Sequence, residues 1–92
     1  MDLLDRVRIG DLRALALIRD GLSMESTSVI LKTNGPCIRN RMKRLEAATG
    51  KRLYVHRKTP TNAGARLTAE GYVLAEYADK VIELMEVVSR RP

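Results

Sequence analysis

The sequence predicts a mainly α-helical domain with one small β-hairpin and a long helix at its C-terminal end. Three observations carry that prediction. Apolar residues recur at three- and four-residue spacing through most of the 92 positions, and strand-like runs are few and short. Ser23, Asn34 and Thr68 stand where helix N-caps belong, and Gly21 and Gly50 stand where helices stop. Pro60, Asn62 and Gly64 punctuate a loop between two short apolar stretches.

The first helix is predicted over 8–20. Ile9, Leu12, Leu15, Ala16 and Ile18 form its broad apolar stripe, and Gly21 after Asp20 is its stop. Ser23 then caps a second helix over 24–32. Its segment "MESTSVILKT" is rich in Ser, Thr and β-branched residues, so tertiary packing has to hold it. Val29, Ile30 and Leu31 are its expected anchors. Asn34 caps a third helix over 35–49, with Pro36 in the first turn, where a missing N–H costs nothing. Ile38, Met42, Leu45 and Thr49 follow i, i+4, i+7 and i+11 and define the expected buried face. Arg39, Asn40 and Lys43 then point away from the core. Arg41 and Arg44 flank the apolar stripe, with Glu46 or Glu25 as intramolecular partners open to them.

Leu53, Tyr54 and Val55 suit a short strand, and Ala65, Arg66 and Leu67 a returning one. The hairpin tip holds His56, Arg57 and Lys58 with no acid among them. Thr68 opens the last helix, which runs to about 89, with Glu70 in its first turn where the helix dipole favours an anion. Leu74, Ala78, Val81, Met85 and Val88 are spaced 4, 3, 4 and 3 residues apart. That is an a/d seam, expected to form a dimer interface with a second copy. The order of elements is that of a winged helix-turn-helix over 1–67, with a dimerisation helix over 68–92 continuous with it.

Composition narrows the function. Ninety-two residues make one small domain that gains much from a partner subunit. With three Tyr and neither Trp nor Phe, base-stacking platforms for single strands are not expected. Seventeen basic residues against eleven acidic ones leave a net charge of +6, which favours a polyanion. One Cys excludes an internal disulfide and fits a reducing, cytoplasmic location. Cys37 reads as a small half-buried helix residue. One Cys and one His cannot build a structural zinc site, and no cofactor is expected. No apolar run reaches membrane-spanning length. There is no glycine-rich phosphate loop and no nucleophile-and-base set beyond the lone His56, so an enzyme is not expected.

The segments "RIGDLRALALIRDG" (8–21), "KRLE" (43–46) with Pro36, Ile38 and Met42 before it, "TGKRLY" (49–54) and "RLTAEG" (66–71) follow one another in an order that resembles the DNA-binding domain of LysR-type transcriptional regulators. The resemblance covers roughly 8–88. It implies a recognition helix beginning near Pro36, a Gly-x-x-Leu-aromatic strand and a Leu-Thr-x-x-Gly entry into a linker helix. Three places depart from the family pattern. Thr27-Ser28 replaces a small Ala-Ala pair, and Asn34-Gly35 replaces the Ser-Gln before the Pro. The wing is longer, and its "NAGARLT" (62–68) is closer to the winged domain of molybdate-responsive regulators.

The resemblance implies sequence-specific binding of double-stranded DNA by a homodimeric transcription regulator. The expected contacts are Asn34, Gly35, Pro36, Arg39, Asn40 and Lys43 in the major groove, with Arg57, Lys58 and Arg66 of the wing on the backbone or minor groove. Arg39 and Lys43 also fit plain solvated charges, and Asn34 fits a cap better than a base reader. With no effector-binding domain before Pro92, no small-molecule effector is expected. The rival from another class is a protein-interaction module that heterodimerises with a larger regulator. Such a module need not keep acids off the outer face of the third helix and the wing tip, where none stands.

Overall fold

The computed structural model describes residues 3–56 and 65–91. A short 3-10 turn, Leu3–Arg6, precedes α1 (Ile9–Arg19), α2 (Met24–Ile30) and α3 (Gly35–Thr49). Strands β1 (Tyr54–His56) and β2 (Ala65–Leu67) follow, and α4 (Ala69–Ser89) is the last element. The strands pair antiparallel, with Tyr54 opposite Leu67, Val55 opposite Arg66 and His56 opposite Ala65. This is a winged helix-turn-helix with a long C-terminal helix, in the predicted order.

The three expected caps all form. Ser23 Oγ accepts from the Ser26 N–H at 3.0 Å, Asn34 Oδ1 from the Cys37 N–H at 2.9 Å, and Thr68 Oγ1 from the Gly71 N–H at 3.1 Å. Each satisfies a helix-end donor that would otherwise lack a partner. Gly50 ends α3 at φ 69°, in the left-handed region, and its N–H donates to the Glu46 carbonyl at 2.8 Å.

One core lies where α1 packs on both α3 and α4. Leu15, Ile38, Met42, Leu45 and Leu53 are fully buried, with Ala14, Ile18, Leu67 and Ala75 around them. Each large aliphatic side chain removed from water contributes roughly 1.5–3 kcal/mol. The buried face of α3 is Ile38, Met42 and Leu45, as its spacing predicts. Thr49 is exposed instead, one turn past the core, and its hydroxyl donates to the Leu45 carbonyl at 2.9 Å. Ile9, at the other end of the α1 stripe, is likewise exposed.

The anchors of α2 differ from expectation. Val29 and Ile30 are 76% and 50% exposed, and of the three named residues Leu31 alone packs against the core. Thr27 and Ser28 are buried in their place. Small side chains on the inner face let α2 approach α1 and α3 closely, so helix geometry turns the larger neighbours outward. These are the two positions where the family carries its small pair.

The joint between hairpin and α4 is tightly specified. Glu46 Oε2 accepts from the Leu53 N–H at 2.8 Å. The Thr68 N–H donates to the Leu53 carbonyl at 2.9 Å, and the Thr68 hydroxyl donates to the Arg52 carbonyl at 2.6 Å. A Cβ at Gly71 would lie 2.1 Å from the Leu53 carbonyl oxygen, so only glycine fits there. The motif residues Glu46, Leu53, Leu67, Thr68 and Gly71 are therefore one structural device. They fasten the long helix to the end of α3.

Candidate nucleic-acid interface

The apolar side of α3 is anchored by Ile38, Met42 and Leu45, so its other side has to face outward. Pro36, Arg39, Asn40 and Lys43 are all exposed on it. Arg39 and Lys43 make no ion pair or side-chain hydrogen bond among the described residues. Asn34 is exposed too, but its side-chain oxygen is engaged as the cap. Gly35 opens the helix half-buried, with nothing within 4 Å of where its Cβ would be. Pro36 has no N–H and those of Cys37 and Ile38 are taken by Asn34, so the Gly35 N–H is the one donor of this first turn without a partner among the described residues. No acid shares this face: Glu46 is turned to the Leu53 N–H.

Arg41 and Arg44 serve the fold. The Arg41 guanidinium donates to the Gly10 carbonyl at 3.4 Å. Arg44 makes a two-pronged pair with Asp11, Nε to Oδ2 at 2.9 Å and Nη2 to Oδ1 at 3.0 Å. This corrects the expected partners, Glu46 and Glu25. Asp11 is 1% exposed and also accepts from the Arg8 N–H at 3.0 Å. The bond from Asp11 holds the Arg44 guanidinium pKa above its ordinary range and outweighs the opposing effect of burial. At Tyr54 burial works the other way and pushes the hydroxyl pKa up. Nothing in the local sequence marks Asp11 as buried except its place three residues after Arg8, where a capping acid belongs.

The wing is only partly placed. Arg57 and Lys58 lie outside the described residues. Arg66 is in β2, opposite Val55, and its side chain is also outside them.

The exposed apolar stripe of α4 is rotated from the predicted seam. Ala78 is 1% exposed within the single chain and Leu74 is half-buried against the core, so α1 and the core cover the inner edge of the seam. Ala78 is thus no free interface residue. Arg19 fastens the same face, bonding Asp79 and Asp20, with Asp79 the larger cause of its raised pKa. Val81, Met85 and Val88 stay exposed at 40%, 54% and 57%. Val73, Tyr77 and Leu84 join them at 55%, 58% and 63%, making a continuous outward apolar stripe. The stripe spacing 73, 77, 81, 84, 88 is as regular as that of the predicted seam, and only the position of α1 separates the two.

Among the described residues, no group of three or more His, Cys, Asp or Glu can hold a metal ion. Among them, no helix is long and apolar enough to cross a membrane. Cys37 is free and half-buried.

No family model and no curated protein matches the chain. Solved structures do. The DNA-binding domain of CbnR in complex with DNA is similar over 89% of this chain and 90% of its own, with a TM-score of 0.79 and 24% identity. The full-length LysR-type regulator LysG from Corynebacterium glutamicum matches 90% of this chain, with a TM-score of 0.75 and 26% identity. A full-length OxyR variant from Pseudomonas aeruginosa matches 89% of it, with a TM-score of 0.78 and 20% identity. This chain spans 27% and 26% of those two longer proteins. The fold is that of the DNA-binding domain of LysR-type transcription regulators.

Proposed function

We propose that the chain binds double-stranded DNA sequence-specifically as a homodimer and regulates transcription. In this reading α3 enters the major groove and the wing, 56–66, lies on the backbone or minor groove. The observation that carries it is the outer face of α3. Arg39, Asn40 and Lys43 are exposed there, free of acids, on a helix whose other side is locked in the core. A major groove admits a helix, and side chains near its N-terminus reach base edges. Arg39 suits a two-pronged bond to guanine and Asn40 to adenine, each discriminating by about 1–3 kcal/mol. Pro36 and the backbone at Gly35 would set the helix against a phosphate, and Lys43, Arg57, Lys58 and Arg66 would position more than specify.

The exposed stripe on α4 supports the dimer. Seven large apolar side chains, 40% exposed or more, lie along Val73–Val88 of one helix. A second copy covers such a stripe by a two-fold axis.

The test is fluorescence anisotropy with random duplex DNA across a salt series, with Arg39→Ala/Lys43→Ala alongside. If each protomer neutralises roughly 4–5 phosphates, the log–log slope for the dimer is about −7 to −9. The double variant should bind more weakly at every salt concentration. A slope near −2, or indifference to those two residues, would move the reading to a protein-interaction module.

A further inference from the structure

The N-terminal segment carries a second cationic surface beside α3. An open groove runs between the Leu3–Arg6 turn, the start of α1 and the middle of α3, Asn40 to Ala47. Its lining includes Asp5, Arg6, Arg8, Asn40, Lys43 and Arg44. Four of these six are cationic, and Arg6, Arg8 and Lys43 are exposed. Neither Arg6 nor Arg8 makes a direct ion pair among the described residues. Arg44 is held rigid by Asp11 through Nε and Nη2, which leaves Nη1 without a partner among the described residues. Asn40 and Lys43 belong both to this groove and to the outer face of α3. The groove is therefore a side wall of that face.

We propose that this groove is a phosphate-binding site for the DNA strand that borders the recognition helix, with Arg6 and Arg8 as direct phosphate ligands. The inference rests on the DNA-binding reading above. A helix lying in the major groove, about 12 Å wide, has a sugar–phosphate backbone along each of its sides. A duplex seated on Arg39, Asn40 and Lys43 carries one backbone past Arg6 and Arg8. The anchored Arg44 guanidinium presents its remaining N–H groups to that backbone with little rotamer freedom left to lose. Asp5 faces the same phosphates and opposes them. These interactions read no base, so they raise affinity for every sequence alike.

The test uses the full chain and random duplex DNA across a salt series, comparing wild type, Arg6→Ala/Arg8→Ala and Asp5→Asn. All three replaced side chains are exposed, and thermal unfolding of each variant checks that the fold is intact. Removing two phosphate-binding cations from each protomer should reduce the magnitude of the dimer slope by about 3 to 4. Asp5→Asn should tighten binding at low salt. The proposal fails if wild type keeps its steep slope and depends on Arg39 and Lys43, yet Arg6→Ala/Arg8→Ala leaves the slope unchanged. If wild-type binding is itself shallow in salt, the DNA reading fails and this inference fails with it.

Discussion

Thr27 is fully buried, and its hydroxyl has no hydrogen-bond partner among the described residues. An unpaired buried hydroxyl costs about 1–3 kcal/mol, whereas a methyl of the same size costs nothing there. Thr27→Val keeps the shape and the β-branch and removes the unpaired group. It should stabilise the domain by about 1–2 kcal/mol and raise Tm by several degrees, since 1 kcal/mol is worth about 4–8 °C in a domain of this size. Thermal and urea denaturation check it, and a lower midpoint would mean that the hydroxyl has a partner in solution. Asp11 and Arg44 show the opposite case, a buried charge fully satisfied by a two-pronged bond and one backbone N–H. Neither site is legible in the sequence as such. Thr27 stands out there for its departure from the family's small pair, but nothing nearby says that its hydroxyl is orphaned. Asp11 meets Arg44 across thirty-three positions, and sequence shows charges without showing which ones meet.

At the scale of elements the sequence is far more informative, because caps and stops act within a few residues. Ser23, Asn34, Thr68 and Gly50 each do locally what their residue type suggests. The buried face of α3 follows from periodicity alone. α2 misleads for a physical reason: in seven residues, hydrophobicity and burial can point to different faces, and close approach favours Thr27 and Ser28 over Val29 and Ile30. The outer face of α3 is legible by subtraction from its core, whereas Arg6 and Arg8 are not, because their place beside α3 depends on how the N-terminal turn packs. The motif residues that suggest the family turn out to join elements together. Gly71 is the sharpest case. Its Cα passes so close to the Leu53 carbonyl that any side chain must displace β1 or α4. Gly71→Ala should cost about 3 kcal/mol or more, above the usual range for an added methyl, because the obstacle is backbone. Circular dichroism melts would register the loss. Unchanged stability would mean that the helix joins the hairpin at another angle in solution.

For the whole molecule the open question is what covers α4. Its inner face belongs to the protomer: Gly71, Ala75 and Ala78 are buried, and Arg19 clasps Asp79 beside them. Its outer face shows Tyr77, Val81, Leu84 and Val88 to solvent. Apart from Glu70 in its first turn, the acids of α4 keep off that stripe, with Glu76, Asp79, Glu83 and Glu86 turned away from it. Over Val73–Val88 a second α4 can therefore approach without charge repulsion. Leu84 is the most exposed of the stripe at 63%, so changing it should leave the protomer fold intact. Leu84→Glu places a charge where the two copies would meet and desolvate it, which a dimer cannot tolerate cheaply. Sedimentation equilibrium should give twice the 10.3 kDa chain mass for wild type and a shift toward 10.3 kDa for the variant. DNA binding gives an independent reading of the same event. A dimer engages two half-sites with its phosphate interactions added together, so a monomer should show about half the salt slope, near −4. Dimers that survive Leu84→Glu, with an unchanged slope, would place the subunit interface elsewhere on the chain. The exposed stripe would then belong to a different partner, as the protein-interaction reading requires.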